Sequence, residues 1–186
     1  NKALRRHEDL NCQITTQDMR NMMGKTMTDI FQGLLPNVSE QRRMQIAKEC
    51  CEEEQNYLCE HGGTLYPKVL ETLEELNKDY ELFIVSNCQD GYIESFLEYY
   101  KLYSRFDDTE CFGRTSKLKG ENIKLIVERN RLDKAVYVGD TGIDFESAKT
   151  AGIPFIHAKY GYGEAEGSVY GALTFADLLQ IVPEIL

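Results

Sequence analysis

The pattern of apolar and polar positions divides the chain into two parts. Residues 1–62 read as helical throughout, and the longest predicted helix runs from Ser39 to His61. From Thr64 onward, short apolar runs alternate with stretches of helical periodicity, which is typical of a parallel sheet with helices on both faces. The sequence therefore predicts an α/β protein, with a helical segment followed by a three-layer αβα, Rossmann-like core over residues 63–186.

Shorter helices are predicted at both ends of the chain. In the helical segment, the pattern predicts a first helix through Leu10, a second capped by Thr16 and a third after Lys25. Residues 173–186 predict a closing helix that breaks at Pro183, since proline removes a backbone donor.

The most informative segment is 134–144, where an apolar run turns at Gly139 and is followed by Asp140 and Asp144. Such a run is typical of a buried parallel strand, whose carboxyl end is where open α/β sheets bind ligands. Two carboxylates held close together repel each other unless a cation lies between them, and oxygen ligands suit Mg²⁺. The alternative is structural: Asp140 would cap the next helix and Asp144 would lie in its first turn.

Polar side chains also end a second apolar strand, which begins near Glu81 and finishes on Ser86 and Asn87. Helical spacing over residues 90–100 places Ser86 near a helix N-terminus, where backbone N–H groups favour an anion. An ordinary Ser/Asn turn is the alternative. Lys119 stands directly before a third amphipathic segment, and taken alone it indicates no more than a surface charge.

Together these three motifs resemble, in order and in context, the second, third and fourth motifs of the haloacid dehalogenase-like hydrolase superfamily. The resemblance covers nearly the whole chain, since the flanking segments are similar too, and residues 1–62 resemble the cap of the phosphoglycolate phosphatase-like branch. The matching motifs are Ser86-Asn87, Lys119-Gly120 and Gly139-Asp140 through Asp144, and the matching flanks are 65–76, 147–155 and 160–163.

The resemblance implies a Mg²⁺-dependent phosphatase that acts on a small phosphorylated metabolite. Ser86 and Asn87 would hold the phosphoryl oxygens, and Lys119 would neutralise charge on the nucleophile and the phosphate. Asp140 would ligate Mg²⁺ directly, with Asp144 ligating through water or orienting Lys119. A phosphomutase or a phosphonatase of the same superfamily is an alternative, because these differ in cap residues.

One part of the family pattern has no counterpart in this sequence. Members carry an Asp-x-Asp nucleophile motif on a first strand, whereas the nearest pair here, Asp107-Asp108, follows no apolar run and comes after the second motif. In the family that strand lies mid-sheet, and its loss would leave unpaired backbone groups in the interior. We therefore expect a longer protein with about ten more residues, and no activity from these 186 residues alone. The alternative is a non-catalytic protein that binds phosphate or metal.

A short loop in the helical segment is a further candidate. Gly24 and Lys25 join the second and third predicted helices, and in capped relatives the matching loop closes over the active site. Gly24 would then permit the turn, and Lys25 would reach the anionic group of the substrate. The alternative is that Gly24 ends a helix and Lys25 is an exposed charge that favours the helix dipole.

Composition excludes several classes of protein. The net charge of −10 argues against nucleic-acid binding, which needs clustered Lys and Arg. No apolar stretch reaches the length of a membrane span and no signal peptide is recognised, so we expect a cytoplasmic protein without a membrane partner; the oligomeric state stays open. The six cysteines form no Cys-x-x-Cys pair, which favours free thiols in a reducing compartment. Cys88 is disfavoured as a nucleophile, because no histidine is placed to activate it.

Overall fold

The first third of the chain is helical, and the strands that the structure describes all lie in the part that follows. The computed structural model describes residues 1–10 and 12–186. Residues 1–62, the helical region, contain 3-10 turns at Leu4–Arg6 and Glu8–Leu10, followed by helices α1 (Thr16–Arg20), α2 (Met27–Leu34) and α3 (Glu40–His61). These helices share an apolar core of their own, formed by Leu4, Phe31, Leu35, Ile46 and Ala47.

The remaining residues, 63–186, alternate helices with short strands. In chain order the elements are α4 (Val69–Leu76), β1 (Phe83–Ser86), α5 (Tyr92–Tyr100), a 3-10 turn (Tyr103–Arg105), β2 (Asp108–Cys111), α6 (Phe112–Thr115), α7 (Lys119–Arg129), β3 (Tyr137–Gly139), α8 (Gly142–Ala151), β4 (Phe155–Ala158), β5 (Tyr170–Ala172), a 3-10 turn (Phe175–Asp177) and α9 (Leu178–Ile185). This alternation confirms the predicted α/β class.

The strands form two parallel sheets rather than one. β1 pairs with β2, with Ser86 opposite Cys111, while β3 and β5 flank β4, with Gly139 opposite His157. Within the described residues, the other edges of β1 and β3 pair with no strand. The two sheets are connected by the Tyr137 hydroxyl, which donates to the Val85 carbonyl at 2.9 Å.

A cavity of about 780 Å³ lies between the β1 and β3 edges. We call it the interstrand cavity. Phe83 and Val85 line it from β1 and Val138 lines it from β3, while α4 and α7 contribute further apolar side chains such as Leu73 and Ile126. The gap between the sheets is therefore apolar and is bordered by backbone edges on both sides.

The long helix is confirmed. It begins after Ser39, which occupies the N-cap position without making a side-chain capping bond, and it ends at Gly62, whose φ of +63° lies in the region that glycine tolerates best. No helix in the described ranges is both long and apolar enough to cross a membrane.

Three predictions of local structure were wrong. The first helix is two 3-10 turns, because His7 leaves the helical conformation at φ −114° and ψ 63° and bonds to Glu49 at 3.0 Å. The second helix is capped by Thr15 rather than Thr16, since the Thr15 hydroxyl accepts the Asp18 N–H while the Asp18 carboxylate accepts the N–H of Thr15.

The third concerns the C-terminal helix. α9 continues through Pro183 instead of breaking there. Proline's φ is compatible with a helix, and the bond lost is the one to Leu179, which is exposed to water.

The sequence pattern did not predict strand β2, because its sequence, Asp-Thr-Glu-Cys, is largely polar. Arg129 of α7 donates to Asp108 at 2.8 Å and to the buried Glu110 at 3.0 Å. Asn130 also donates to Asp108 at 2.8 Å, and Arg114 lies 3.7 Å from Glu110. A polar strand is thus stabilised by partners that are distant in sequence.

Candidate active site

The predicted site residues meet where β1 and β3 end. Ser86 is the last residue of β1, Asp140 follows the last residue of β3, and Lys119 is the first residue of α7. Parallel strands bring their carboxyl ends to one edge, which explains why residues far apart in sequence converge.

A buried ion pair lies at the centre of this cluster. The Lys119 ammonium donates to Asp144 Oδ1 at 2.5 Å, and only 9% and 4% of the two side chains are exposed. Burial acts to lower the pKa of Lys119, but Tyr137 and Asp144 outweigh it and hold this pKa above its usual value. Burial acts in the opposite direction on Asp144, where the charge of Lys119 outweighs it and lowers the pKa. Lys119 is therefore a fixed positive charge at neutral pH.

Asp144 uses both of its carboxylate oxygens within the protein. Oδ1 accepts from Lys119, while Oδ2 accepts the N–H of Asp140 at 3.2 Å, the N–H of Thr141 at 3.0 Å and the Thr141 hydroxyl at 2.7 Å. The residue that caps α8 is Thr141, so the structural alternative that gave this role to Asp140 is wrong. Asp144 lies in the first turn, as that alternative expected, and also orients Lys119.

The carboxylate of Asp140 accepts fewer hydrogen bonds than that of Asp144. Its Oδ2 accepts the backbone N–H of Tyr162 at 2.7 Å, and no described residue donates to its Oδ1. Gly161 packs so closely against Asp140 that any side chain there would overlap the carboxylate. No group of three or more His, Cys, Asp or Glu side chains arranged to hold a metal occurs in the part of the chain that the structure describes. The residues present thus offer one free carboxylate oxygen to a cation.

The loop at Gly24 docks directly on this cluster. The Asn87 side-chain amide donates to the Gly24 carbonyl at 2.8 Å, and a Cβ on Gly24 would lie 3.0 Å from the Thr141 hydroxyl. Gly24 has a φ of +80°, but α1 already ends at Arg20 with Asn21 as its C-cap, so Gly24 is not the helix cap that one alternative proposed. The helical region therefore touches both strand-end motifs.

A second cavity, of about 680 Å³, lies between the helical region and the strand ends. We call it the inter-region cavity. Its wall includes side chains from the end of β1, from the Gly24 loop and from the three helices α3, α5 and α7: Ser86, Asn87, Lys25, Glu54, Tyr92 and Lys119. Lys25 has its ammonium 3.6 Å from the sulfur of Met22 and forms no ion pair with any described residue.

The side chain of Ser86 makes only a local hydrogen bond within the described residues. Its hydroxyl oxygen accepts the backbone N–H of Cys88 at 3.2 Å, as in the Ser/Asn turn that was the alternative reading. Ser86 can form this turn and also line the inter-region cavity. Burial raises the pKa of the Cys88 thiol to about 12, which supports the prediction that Cys88 is not a nucleophile.

Sequence reasoning missed Tyr137, Thr141 and Tyr162. A Thr-x-x-Asp pattern is typical of a capping box, so the sequence could have predicted that Thr141 caps α8. Tyr137 carried no such signal, because an aromatic residue in an apolar strand reads as core. The role of Tyr162 is played by its backbone, which sequence does not reveal.

Comparison with known proteins identifies the family of the chain. The family model described as haloacid dehalogenase-like hydrolase matches residues 2–158. The phosphoglycolate phosphatase of Shigella boydii serotype 4 (strain Sb227) is 26% identical over 157 residues, covering 80% of this chain and 58% of the relative. The chain thus spans little more than half the length of the curated relatives that it matches.

Solved structures share the fold. A predicted phosphoglycolate phosphatase from Haemophilus somnus 129pt superposes with a TM-score of 0.82 at 21% identity, covering 98% of this chain and 88% of that one. A haloacid dehalogenase-like family hydrolase from Streptococcus pneumoniae gives 0.78 at 20% identity, covering 96% and 86%. The family match extends over most of the sequence and includes all three motifs, and the chain belongs to the haloacid dehalogenase-like hydrolase family.

Proposed function

We propose that the protein is a Mg²⁺-dependent, cytoplasmic phosphomonoesterase that acts on a small phosphorylated metabolite, with residues 1–62 as a cap over the core of residues 63–186. The observation that carries the proposal is the buried Lys119–Asp144 pair: Asp144 accepts the N–H of Asp140, and Lys119 lines the inter-region cavity together with Asn87. The matching relatives named phosphoglycolate phosphatase support this class of reaction. Free thiols at all six cysteines suit a reducing compartment.

The chain's own residues serve to bind and position the phosphoryl group. Ser86 and the backbone at Asn87 hold phosphoryl oxygens, and Lys119 neutralises their charge. Phosphoryl transfer depends mainly on positioning and on charge neutralisation, so a rigid cation is effective. Asp144 acts through Lys119, whose charge and position it holds with a 2.5 Å contact. Of the two roles predicted for Asp144, the geometry favours this one.

The donor chemistry of Asp140 fits a magnesium ligand. One carboxylate oxygen is fixed by the Tyr162 N–H, and the other receives no hydrogen bond from the described residues. Mg²⁺ prefers oxygen ligands and, when bound, adds positive charge opposite the phosphoryl oxygens. A single carboxylate holds Mg²⁺ weakly, so further oxygen ligands must come from elsewhere.

We place the nucleophile on an extended segment that fills the interstrand cavity. Two features support this position. Within the described residues no strand pairs with the facing edges of β1 and β3, and apolar side chains from both layers of helices line the cavity, as a buried parallel strand requires. An aspartate at the carboxyl end of such a strand would lie beside Lys119 and Asp140.

The reaction then follows in two balanced steps. The aspartate oxygen forms a bond to phosphorus as the bond to the alcohol oxygen breaks, and the second aspartate of the Asp-x-Asp motif gives the leaving oxygen a proton, which it recovers from the water of the next step. Water hydrolyses the aspartyl-phosphate and releases inorganic phosphate. Because the sequence contains no Asp-x-Asp, the 186 residues alone perform neither step.

A phosphatase assay tests this proposal. The chain, preceded by an apolar strand that ends in Asp-x-Asp, should hydrolyse small phosphate esters in Mg²⁺ and lose this activity in EDTA. Equal activity in EDTA would exclude the metal-dependent mechanism.

A second candidate is a non-catalytic protein that binds phosphate or metal. The absence of an Asp-x-Asp motif from the sequence favours it, while the anion-binding groups Asn87 and Lys119 are present. Phosphate binding without turnover by the extended chain would support this candidate.

A further inference from the structure

The carboxylate of Asp140 is confined by residues 160–163, the segment after β4 that we call the Asp140 loop. The Tyr162 N–H donates to Asp140 Oδ2 at 2.7 Å, and Gly161 packs so closely on the carboxylate that a Cβ there would overlap it. A Cβ on Gly163 would lie 3.0 Å from the Asp140 carbonyl oxygen. The loop therefore fixes one carboxylate oxygen and leaves Oδ1, to which no described residue donates.

The side chains of the Asp140 loop support only its beginning. Tyr160 packs edge-on against Tyr66, with ring centroids 4.9 Å apart. Gly161 and Gly163 have no side chain, and 58% of Tyr162 is exposed. The end of the loop, at Gly163, thus depends on a contact from another part of the protein.

His157 makes that contact. It lies on β4, opposite Gly139 of β3, and only 3% of it is exposed. Its Nε2 lies 3.2 Å from the Gly163 carbonyl oxygen, which can only accept, so Nε2 carries the hydrogen and donates. Among the described residues, only His157 and Asp140 have side chains that hydrogen-bond to the backbone of residues 160–163.

From this series of contacts we infer that His157 is a positioning residue for Asp140: it holds the loop whose Tyr162 N–H orients the carboxylate and leaves Oδ1 for a cation. The inference rests on the proposed function only in assigning Mg²⁺ to this oxygen. A carboxylate that is already oriented loses less conformational freedom on binding, so it binds a cation more tightly than a freely rotating one.

The size of the effect follows from the distance of His157 from the cation. Groups that bond directly to a metal ligand contribute on the order of 10–100-fold to metal affinity. His157 acts one contact further out, through the loop backbone, so we expect a smaller contribution from it.

Three variants separate the hydrogen bond of His157 from the packing of its ring. His157→Phe removes the donor and keeps a ring beside Phe155, with which the histidine stacks at a centroid distance of 6.5 Å. His157→Gln keeps an N–H donor. His7→Phe is the matched control, because 14% of the His7 side chain is exposed and it bonds to Glu49 in the helical region. Folding is checked by circular dichroism, and His157→Leu replaces a Phe variant that does not fold.

Two measurements on the 186-residue chain follow the loop and the metal separately. Amide hydrogen exchange, read by NMR, reports on the Tyr162 N–H, and calorimetric titration with Mg²⁺ alone reports on metal binding, with Asp140→Asn as the background. His157→Phe should speed exchange at Tyr162 at least about tenfold and weaken Mg²⁺ binding at least about threefold. His157→Gln and His7→Phe should match the unmodified chain in both measurements.

Unchanged exchange at Tyr162 in folded His157→Phe would overturn the inference, and so would faster exchange with unchanged Mg²⁺ affinity. Equal losses in His157→Gln would assign the effect to ring packing and would overturn it as well. If the unmodified chain bound no Mg²⁺ while exchange at Tyr162 responded as expected, the metal assignment of the proposed function would fail, and the role of His157 in orienting Asp140 would stand.

Discussion

Replacing Asp144 with asparagine tests the buried pair at the centre of the site. The carboxylate accepts four hydrogen bonds, one on Oδ1 from Lys119 and three on Oδ2 from the backbone and hydroxyl beyond β3. Asparagine has a single acceptor oxygen, so its NH₂ group must face donors on one side or the other. Asp144→Asn therefore leaves one of two groups without an acceptor: the buried ammonium of Lys119, or the N–H and hydroxyl of Thr141 in the capping box.

The expected cost follows from burial. Removing one partner of a buried ion pair costs about 3–5 kcal/mol, because the other charge stays desolvated. Both side chains are nearly inaccessible, so solvent screening reduces this cost little. Taking about 3 kcal/mol, a chain of this size should lose about 6–12 °C in melting temperature.

Thermal and urea unfolding measure this loss, and Glu146→Gln is the control. Glu146 pairs with Lys149 on the same helix at 2.9 Å, but 66% and 58% of these side chains are exposed. The control should change the free energy of unfolding by no more than about 0.5 kcal/mol. Equal losses in the two variants would refute the claim that burial makes the Lys119–Asp144 pair important.

The cost should also depend on pH. The pKa of Asp144 lies below its ordinary value of 3.8 in the folded protein, so its contribution is present above pH 3.8 and is lost as pH falls through the folded value. The pKa of Lys119 lies above its ordinary 10.5, so its contribution is present below pH 10.5 and is lost as pH rises through the folded value. The difference in stability between the wild type and Asp144→Asn should therefore stay constant between about pH 5 and pH 9. A difference that varies within this range would contradict the assignment.

Three further predictions concern the surroundings of the pair. Gly24→Ala should destabilise the chain by about 1–3 kcal/mol, because the φ of Gly24 is +80°, and should make the loop more sensitive to proteolysis. The control Gly63→Ala should change neither property. Equal proteolysis rates in the two variants would refute docking of the loop. Iodoacetamide at pH 8 should label the exposed Cys59 well before Cys88, whose thiol pKa burial raises to about 12, and faster labelling of Cys88 would contradict its burial. Calorimetric titration should show weak Mg²⁺ binding that Asp140→Asn abolishes, and binding retained by this variant would place the metal elsewhere.

The sequence could predict the part of the site that is formed by residues at strand ends. Ser86 and Asp140 each terminate a short apolar run, and parallel strands bring such ends together. Lys119 required the family pattern, because a lone lysine before a helix carries no signal of burial. Its pairing with Asp144, 25 residues away, is a product of the fold.

Contacts between the two parts of the chain were beyond sequence reasoning. Asn87 and Gly24 are 63 residues apart, and their hydrogen bond depends on how the helical region packs on the core. Strand β2 was not predicted for a related reason, since its acids bond to Arg129 and Asn130, which lie 19 and 22 residues away along the chain. Local sequence patterns cannot predict stabilising contacts between residues that are far apart in the sequence.

The central claim is that the chain supplies a phosphoryl-binding site whose nucleophile lies on a strand in the interstrand cavity. Its most direct test is phosphate release from a small ester, measured for the 186-residue chain and for the same chain preceded by an apolar strand ending in Asp-x-Asp. We predict Mg²⁺-dependent release by the extended chain alone, lost when its first Asp is replaced by Asn or when Lys119 is replaced by Ala. Asp140-dependent hydrolysis by the 186 residues without that strand would contradict the account.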